Sequence, residues 1–324
     1  MNPVAFSDAD WLDAAAALAA RGRPLSSPNP AVGALIVKHG RVIGRGWTQP
    51  GGRPHAEAQA LAQAGAQARG ATAYVTLEPC AHDSPRGPAC AHSLRDAGLA
   101  RLVIGCADPD PRTAGAGIAL LREAGITAEL VPSPAALRSL EGYLTRARLG
   151  RPHTTLKLAT SLDGCIAMAD GTSQWITGPE ARAHGHAMRA RCDAILVGGE
   201  TLRADSPRLD VRLPGLAARS PARWVLTRGT APEGWQAIAD PAEGRFGEAQ
   251  YLLIEGGAGA AAAFLAADRI DRLMLYRAPI LIGAGRRGLG DIGLASLGSA
   301  HGRWALTDRL QLGSDTLDVY DRTR

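Results

Sequence analysis

Strand-like and helix-like hydrophobic patterns alternate along this chain, and the alternation stops once, at Leu149-Gly150-Arg151-Pro152, before it starts again. Strands and helices taken in turn imply a layered α/β sheet. The first run predicts helices at 11–20, 55–66, 88–97, 116–124 and 133–148. Between them it predicts strands at 31–38, 41–47, 73–76, 101–105 and 127–131. The second run predicts strands at 154–159, 194–197, 223–226, 251–254, 272–276, 303–306 and 316–320, with helices at 178–190 and 258–267. Residues 202–221 read as irregular and 230–250 as loop. Two domains follow, 1–148 and 149–324, in keeping with 324 residues at roughly 150 per domain.

Composition excludes several classes. Hydrophobic residues make up 46% and charged residues 21%, so a disordered chain is ruled out. No apolar run approaches the ~20 residues of a membrane span. The N-terminal segment carries Asp8, Asp10 and Asp13 and reads as an ordinary helix, not a targeting signal. The 5 cysteines do not make a secreted disulfide framework, so the expected compartment is the cytoplasm, with no membrane partner. A net charge of +5 admits nucleic acid, but the basic residues form no dense run or tail, and no nucleic-acid partner is expected. Lys38 and Lys157 are the only lysines; arginine serves everywhere else.

The strongest chemical signal is His55-Ala56-Glu57 followed by Glu78-Pro79-Cys80 and Cys90. One imidazole and two thiolates supply three protein ligands for zinc and leave a fourth position open for water. Glu57 is then a carboxylate that is not a ligand, free to carry protons, as in zinc nucleobase deaminases. The chemistry is hydrolytic loss of ammonia from an amidine-like carbon. Cys106 ends a strand and reads as a small core residue. His92 lies on another helical face from Cys90, and His82 lies in the intercysteine loop, within reach of a substrate. Asn29, held between Pro28 and Pro30, presents a rigid amide suited to a ring or ribose edge.

These residues stand in a longer resemblance. SPNPAVGALIVKHGRVIGRGW, PHAEAQAL, GATAYVTLEPCAHDSPRGPACAHSL and CADPDPRTAGAGIALLREAGI resemble the deaminase half of the bifunctional riboflavin-biosynthesis deaminase–reductases. That family deaminates 2,5-diamino-6-ribosylamino-4(3H)-pyrimidinone 5′-phosphate and then reduces the ribosyl group to ribityl. The resemblance implies zinc ligation by His55, Cys80 and Cys90, proton transfer by Glu57 and substrate contact by Asn29. Two departures stand out: the loop between the cysteines is one residue longer than is common, and Thr48 occupies a position where the family often has His.

The second half has no G-x-G-x-x-G after its first strand. By residues alone it offers Lys157, Ser161-Leu162-Asp163-Gly164, a Val197-Gly198-Gly199 turn and Glu255-Gly256-Gly257. Glycines at a strand-to-helix turn let phosphate approach backbone N–H groups. TLKLATSLDGCIAM, GTSQWITGPEAR, AILVGGETLRADSPRLDVR, YLLIEGGA and RAPILIGAGRRGLG resemble the reductase half of the same family, in the same order. The resemblance implies a cytidine-deaminase-like three-layer domain followed by a dihydrofolate-reductase-like α/β domain. The cofactors are then Zn2+ and NADPH, the substrate is a phosphorylated pyrimidine, and the chain forms a homo-oligomer. Trp175, Thr177, Thr201, Glu255, Gly256 and Gly257 fall at cofactor positions. Lys157, Arg189, Asp205, Leu209 and Arg212 fall in substrate motifs, with Asp205 and Lys157 as the candidates for proton handling. The family's Ala-Asp-Asp-Pro is Ala204-Asp205-Ser206-Pro207 here. His184 and His186 are expected on the surface, and Trp175 is equally suited to core packing. Two rival readings stay open: a tRNA or free-base deaminase with a non-catalytic second half, and a zinc-bearing nucleic-acid-binding module.

Overall fold

Ser7 opens the first helix, α1 (Asp8–Ala19), with a reciprocal cap: its hydroxyl accepts from the Asp10 amide while the Asp10 carboxylate accepts from the Ser7 amide. The computed structural model describes residues 6–82, 86–244 and 246–324. The chain folds as two units, Met1–Gly150 and Arg151–Arg324.

In the first unit the chain continues through β1 (Gly33–Lys38), β2 (Arg41–Trp47), α2 (Ala56–Ala64), β3 (Thr72–Val75), α3 (Cys90–Asp96), β4 (Arg101–Ile104), α4 (Ala116–Glu123), β5 (Thr127–Leu130), α5 (Pro134–Ser139) and α6 (Glu141–Leu149). The sheet order is β2-β1-β3-β4-β5, parallel from β3 to β5 and antiparallel elsewhere. Alternation along the strands sorts the two faces. Leu35, Val37, Tyr74 and Val103 pack against Leu12 and Ala15 of α1. Ala34, Ile36, Ala73, Val75, Leu102 and Ile104 turn the other way, toward apolar residues of α2, α3 and α4. Three layers result.

Helix α2 lies unusually close to β2. A Cβ at Gly44 or Gly46 would sit 2.2 or 2.1 Å from the carbonyl oxygens of Ala60 and Ala56. Only glycine permits this approach, and it fixes the helix that carries Glu57.

The second unit comprises β6 (His153–Thr160), β7 (Cys165–Ala167), α7 (Pro179–Arg189), β8 (Ala194–Gly198), α8 (Gly199–Asp205), β9 (Ala222–Leu226), β10 (Trp235–Ile238), β11 (Tyr251–Glu255), α9 (Ala258–Ala266), β12 (Arg272–Arg277), β13 (Arg286–Arg287), β14 (Trp304–Leu312) and β15 (Asp315–Arg322). Eight strands form one sheet in the order β10-β9-β8-β11-β6-β12-β15-β14, while β13 and β7 pair separately. From β10 to β12 the neighbours are parallel; β15 and β14 complete the edge antiparallel. Leu156, Leu158, Leu196, Leu252 and Ile254 pack on Phe264 of α9. On the other face, Met274 and Tyr276 pack on Ala181 of α7.

Four expectations need correction. The helix expected at 133–148 is two, α5 and α6, because Leu140 leaves helical geometry at φ −104°, ψ 3°. Helix α8 occupies the start of the stretch read as irregular. Strand β10 lies in the stretch read as loop; only one of its four residues is buried, so alternation never marked it. Strand β14 runs well beyond 306, since as a sheet edge it is exposed along most of its length.

Candidate active sites

The turn before α2 and the start of α3 bring the zinc motif together. His55 is the N-cap of α2 but makes no capping bond; its ring turns instead toward the cysteines. Its Nδ1 lies 3.3 Å from Cys90 Sγ and 3.7 Å from Cys80 Sγ. The Cys90 amide donates to Cys80 Sγ at 3.3 Å, and the Ala91 amide to the Cys80 carbonyl at 3.1 Å. Among the described residues, His55, Cys80 and Cys90 are the group able to hold a metal ion, with ligand atoms within 4.8 Å of one another. Zn–S near 2.3 Å and Zn–N near 2.1 Å at tetrahedral angles require N···S separations of about 3.6 Å. The observed spacings fit zinc.

The electrostatics agree with a polar, water-poor centre. Hydrogen bonding from the Cys90 thiol, with a lesser contribution from His55, pulls the Cys80 thiol down to about 4 against the cost of its burial. Burial pushes Glu57 above the ordinary carboxylate range, with the His55 ring opposing it. Glu78 of the same motif is structural: its buried carboxylate accepts from the amides of Asp108, Gly115 and Ile118 and so ties α4 to the cysteine turn.

These groups line a cavity of about 380 Å³. Asn29 enters it as expected, donating to the Gly52 carbonyl at 3.0 Å with the same nitrogen 3.4 Å from His55 Nε2. His82 lines it too, 3.5 Å from the Thr113 hydroxyl. Thr48 has become a structural residue, its hydroxyl accepting from the Val32 amide. Sequence reasoning missed Asp108 and Tyr143, which also line the cavity; Tyr143 donates to Asp108 at 2.7 Å. The quoted segment CADPDPRT carried the signal for the first. Of the longer intercysteine loop, residues 83–85 lie outside the described residues.

In the second unit, Glu255 ends β11 beside Lys157 of β6. Arg189 of α7 forks onto the Glu255 carboxylate at 2.6 and 2.8 Å and donates to the Asp210 carbonyl at 2.9 Å. Burial opposes ionisation of Glu255, but Arg189 and Lys157 outweigh it and hold the carboxyl below its ordinary range. The Lys157 ammonium lies 5.7 Å from the centre of the Tyr276 ring. His184 is not on the surface as expected: its Nδ1 is 2.8 Å from the Tyr276 hydroxyl. Nor is His186 idle: its Nδ1 lies 3.3 Å from the Arg212 amide nitrogen and its Nε2 3.3 Å from the Arg212 guanidinium, one of the two ring nitrogens accepting. Leu209 is buried with φ +53°, a left-handed conformation costly for leucine. Trp175 is 64% exposed with Arg182 stacked over it, so it does no core packing. Thr177 supplies its carbonyl to Arg182. Asp205 ends α8 exposed, with no hydrogen bond or ion pair to Lys157 among the described residues.

Parallel sheets of this kind bind ligands at the carboxyl ends of their strands. At the N-cap of α9, a Cβ on Gly257 would lie 2.7 Å from the Thr201 hydroxyl. Outside β8 and β9 lies a cavity of about 610 Å³ whose lining includes Gly199, Arg203, Arg208, Arg223, Thr227 and Trp235. Arginines, a stacked tryptophan and close backbone fit a phosphate-bearing nucleotide.

Fold and sites together define a zinc deaminase joined to a nucleotide-dependent reductase. Comparison with known proteins agrees. Residues 6–106 match the cytidine and deoxycytidylate deaminase zinc-binding region, and residues 152–239 and 245–317 match the RibD C-terminal domain. The riboflavin biosynthesis protein RibD of Haemophilus influenzae is 36% identical, over 97% of this chain and 98% of its own. Among solved structures, RibD of Acinetobacter baumannii superposes with a TM-score of 0.87 at 35% identity, covering 98% of this chain and 99% of that one. A Thermotoga maritima diaminohydroxyphosphoribosylaminopyrimidine deaminase/5-amino-6-(5-phosphoribosylamino)uracil reductase does so with a TM-score of 0.87 at 28% identity and the same coverage. The chain belongs to the RibD family, the bifunctional deaminase–reductases of riboflavin biosynthesis. Its cofactors are zinc and NADPH, and its substrate is a small pyrimidine. Among the described residues no helix is long and apolar enough to cross a membrane.

Proposed function

We propose that the first unit removes the ring amine of 2,5-diamino-6-ribosylamino-4(3H)-pyrimidinone 5′-phosphate and that the second reduces the ribosyl group of the product to ribityl. The observation that carries this reading is the His55–Cys80–Cys90 cluster opening, with Glu57, onto a cavity of about 380 Å³. That volume suits a mononucleotide-sized substrate. Bound there, zinc supplies the Lewis acidity that makes water nucleophilic near neutral pH. Glu57, buried and short of its ordinary acidity, takes one proton from the attacking water and gives it to the ring nitrogen, then takes the second from the hydroxyl now on the ring carbon and gives it to the amine, which leaves as ammonia. Asn29 orients the ring, and Asp108, held by Tyr143, accepts a ring N–H.

In the second unit NADPH supplies the hydride. Thr201, Gly256 and Gly257 cradle the cofactor with Trp175 and Thr177, and the cavity beyond β8 and β9 takes its distal phosphate. Lys157 faces the sugar carbon and manages the proton released as the ring opens, with Asp205 brought in when substrate binds. Arg189 and Glu255 act as a pair that shapes the substrate side, with Leu209 and Arg212. Among the described residues no cysteine is in a disulfide, which suits a reducing cytoplasm. The homo-oligomer is supported by the long exposed edge of β14, which carries Leu306 and Leu310. Antiparallel pairing with a second copy, centred between Asp308 and Arg309, would set opposite charges face to face.

One reaction with two readouts tests the enzymology. The substrate is made from GTP with a cyclohydrolase, and the zinc-loaded protein is followed for ammonia release and NADPH oxidation. Ammonia with or without NADPH, and NADPH oxidised only after deamination, is the expected result. Silence in both channels would refute the assignment.

A further inference from the structure

We infer that Arg53 is the group that reads the substrate's phosphate in the deaminase unit; this rests on the phosphorylated substrate proposed above. Arg53 lies two residues before His55 and lines the same cavity. Its Nε is buried and has no hydrogen-bond partner, and among the described residues no carboxylate pairs with its guanidinium. Its Nη1 reaches the intercysteine loop, where a Cβ on Gly87 would lie 3.4 Å away. That loop also brings Arg86 to the cavity, where it donates to the Gly51 carbonyl.

The third arginine of the cavity behaves differently. Arg112 is already forked onto Asp110, at 3.0 and 2.5 Å. Arg53 instead brings to the cavity a positive charge that no carboxylate meets among the described residues. A dianion with three equatorial oxygens matches the arginine fork. Of the cavity's four acidic groups, Glu57 sits with the zinc ligands and Glu78 is spent on backbone amides; Asp108 and Asp110 come from the segment after β4 and would repel a phosphate, so they suit ring N–H donors instead. Charge therefore divides the cavity: the Arg53 side takes the anion, the Asp108 side the heterocycle.

The test compares wild type, Arg53→Ala and Arg53→Lys on the phosphorylated substrate and on its phosphatase-treated riboside, with ribose 5-phosphate as inhibitor. Arg53→Ala should raise the deaminase KM for the phosphorylated substrate about 10- to 100-fold with little change in kcat. It should leave the riboside unaffected and abolish inhibition by ribose 5-phosphate. Arg53→Lys should fall between. Zinc content and reductase rate of the same preparations report folding. Equal losses on both substrates, or an unchanged KM, would overturn the inference. A wild type that turns over riboside and phosphate alike would overturn it together with the substrate reading on which it rests.

Discussion

Glu57 reaches the cavity from the first turn of α2, buried beside the His55 ring, an environment that suits the proton transfer proposed for it. Glu57→Gln should lower deaminase kcat by about 10²- to 10⁴-fold, with zinc content by metal analysis and reductase rate preserved. The Arg189–Glu255 pair makes the opposite prediction. Both side chains are nearly buried, so Arg189→Ala strands a carboxylate and should cost about 3–5 kcal/mol in denaturant unfolding of the second unit. A pH effect follows from Asp271. Burial raises its pKa, but the Arg151 hydrogen bonds prevail with help from His153, and the carboxyl falls to about 2 from 3.8. A depressed carboxylate stabilises the fold above its unfolded pKa. That contribution, about 2 kcal/mol, should be lost as pH falls from about 4 to about 2, and an Asp271→Asn variant should show a flatter acid limb. At this scale the zinc site was legible because metal chemistry restricts which residue types can serve and at what order. Asp108 and Tyr143 were not, because they meet through the fold, from segments 35 residues apart, with no local pattern to announce the meeting.

Helices and strands were most legible where burial imposed a period. Strand β1 and the central strands of the second sheet are buried runs, and apolar residues marked them. The segments that escaped notice are the ones water touches: β10 and β14 are edges, and β13 is two exposed arginines. The irregular turn at Leu140 escaped for another reason, since neither Gly nor Pro marks it. The approach of α2 to β2 gives a sharp test at this scale. Gly46→Ala must push α2 away from β2, because its Cβ would lie 2.1 Å from the Ala56 carbonyl. The expected cost is about 1–3 kcal/mol in unfolding. Because α2 begins at His55, zinc affinity by competition with a chelating dye should fall with it.

For the whole molecule, two units with separate cores and separate chemistries should fail separately. Stripping zinc with a chelator should abolish ammonia release while the reductase still consumes NADPH on pre-deaminated substrate; restoring zinc should restore the first activity. The pattern restarts after Leu149-Gly150-Arg151-Pro152, the segment in which the chain divides into its two units. The cofactor cavities were not legible, because they form at strand ends contributed by distant segments.

Lys157 has one further consequence. In a chain that uses arginine almost everywhere, the molecule offers a labelling reagent only two side-chain amines. Lys38 is tied to the carbonyls of Gln67 and Arg69, while Lys157 lies beside Tyr276 in the reductase site. An amine-selective acylating probe, read by peptide mass, should therefore report whether ligand shields the proposed reductase site, against an internal standard in the other unit, with no mutation and no added tag.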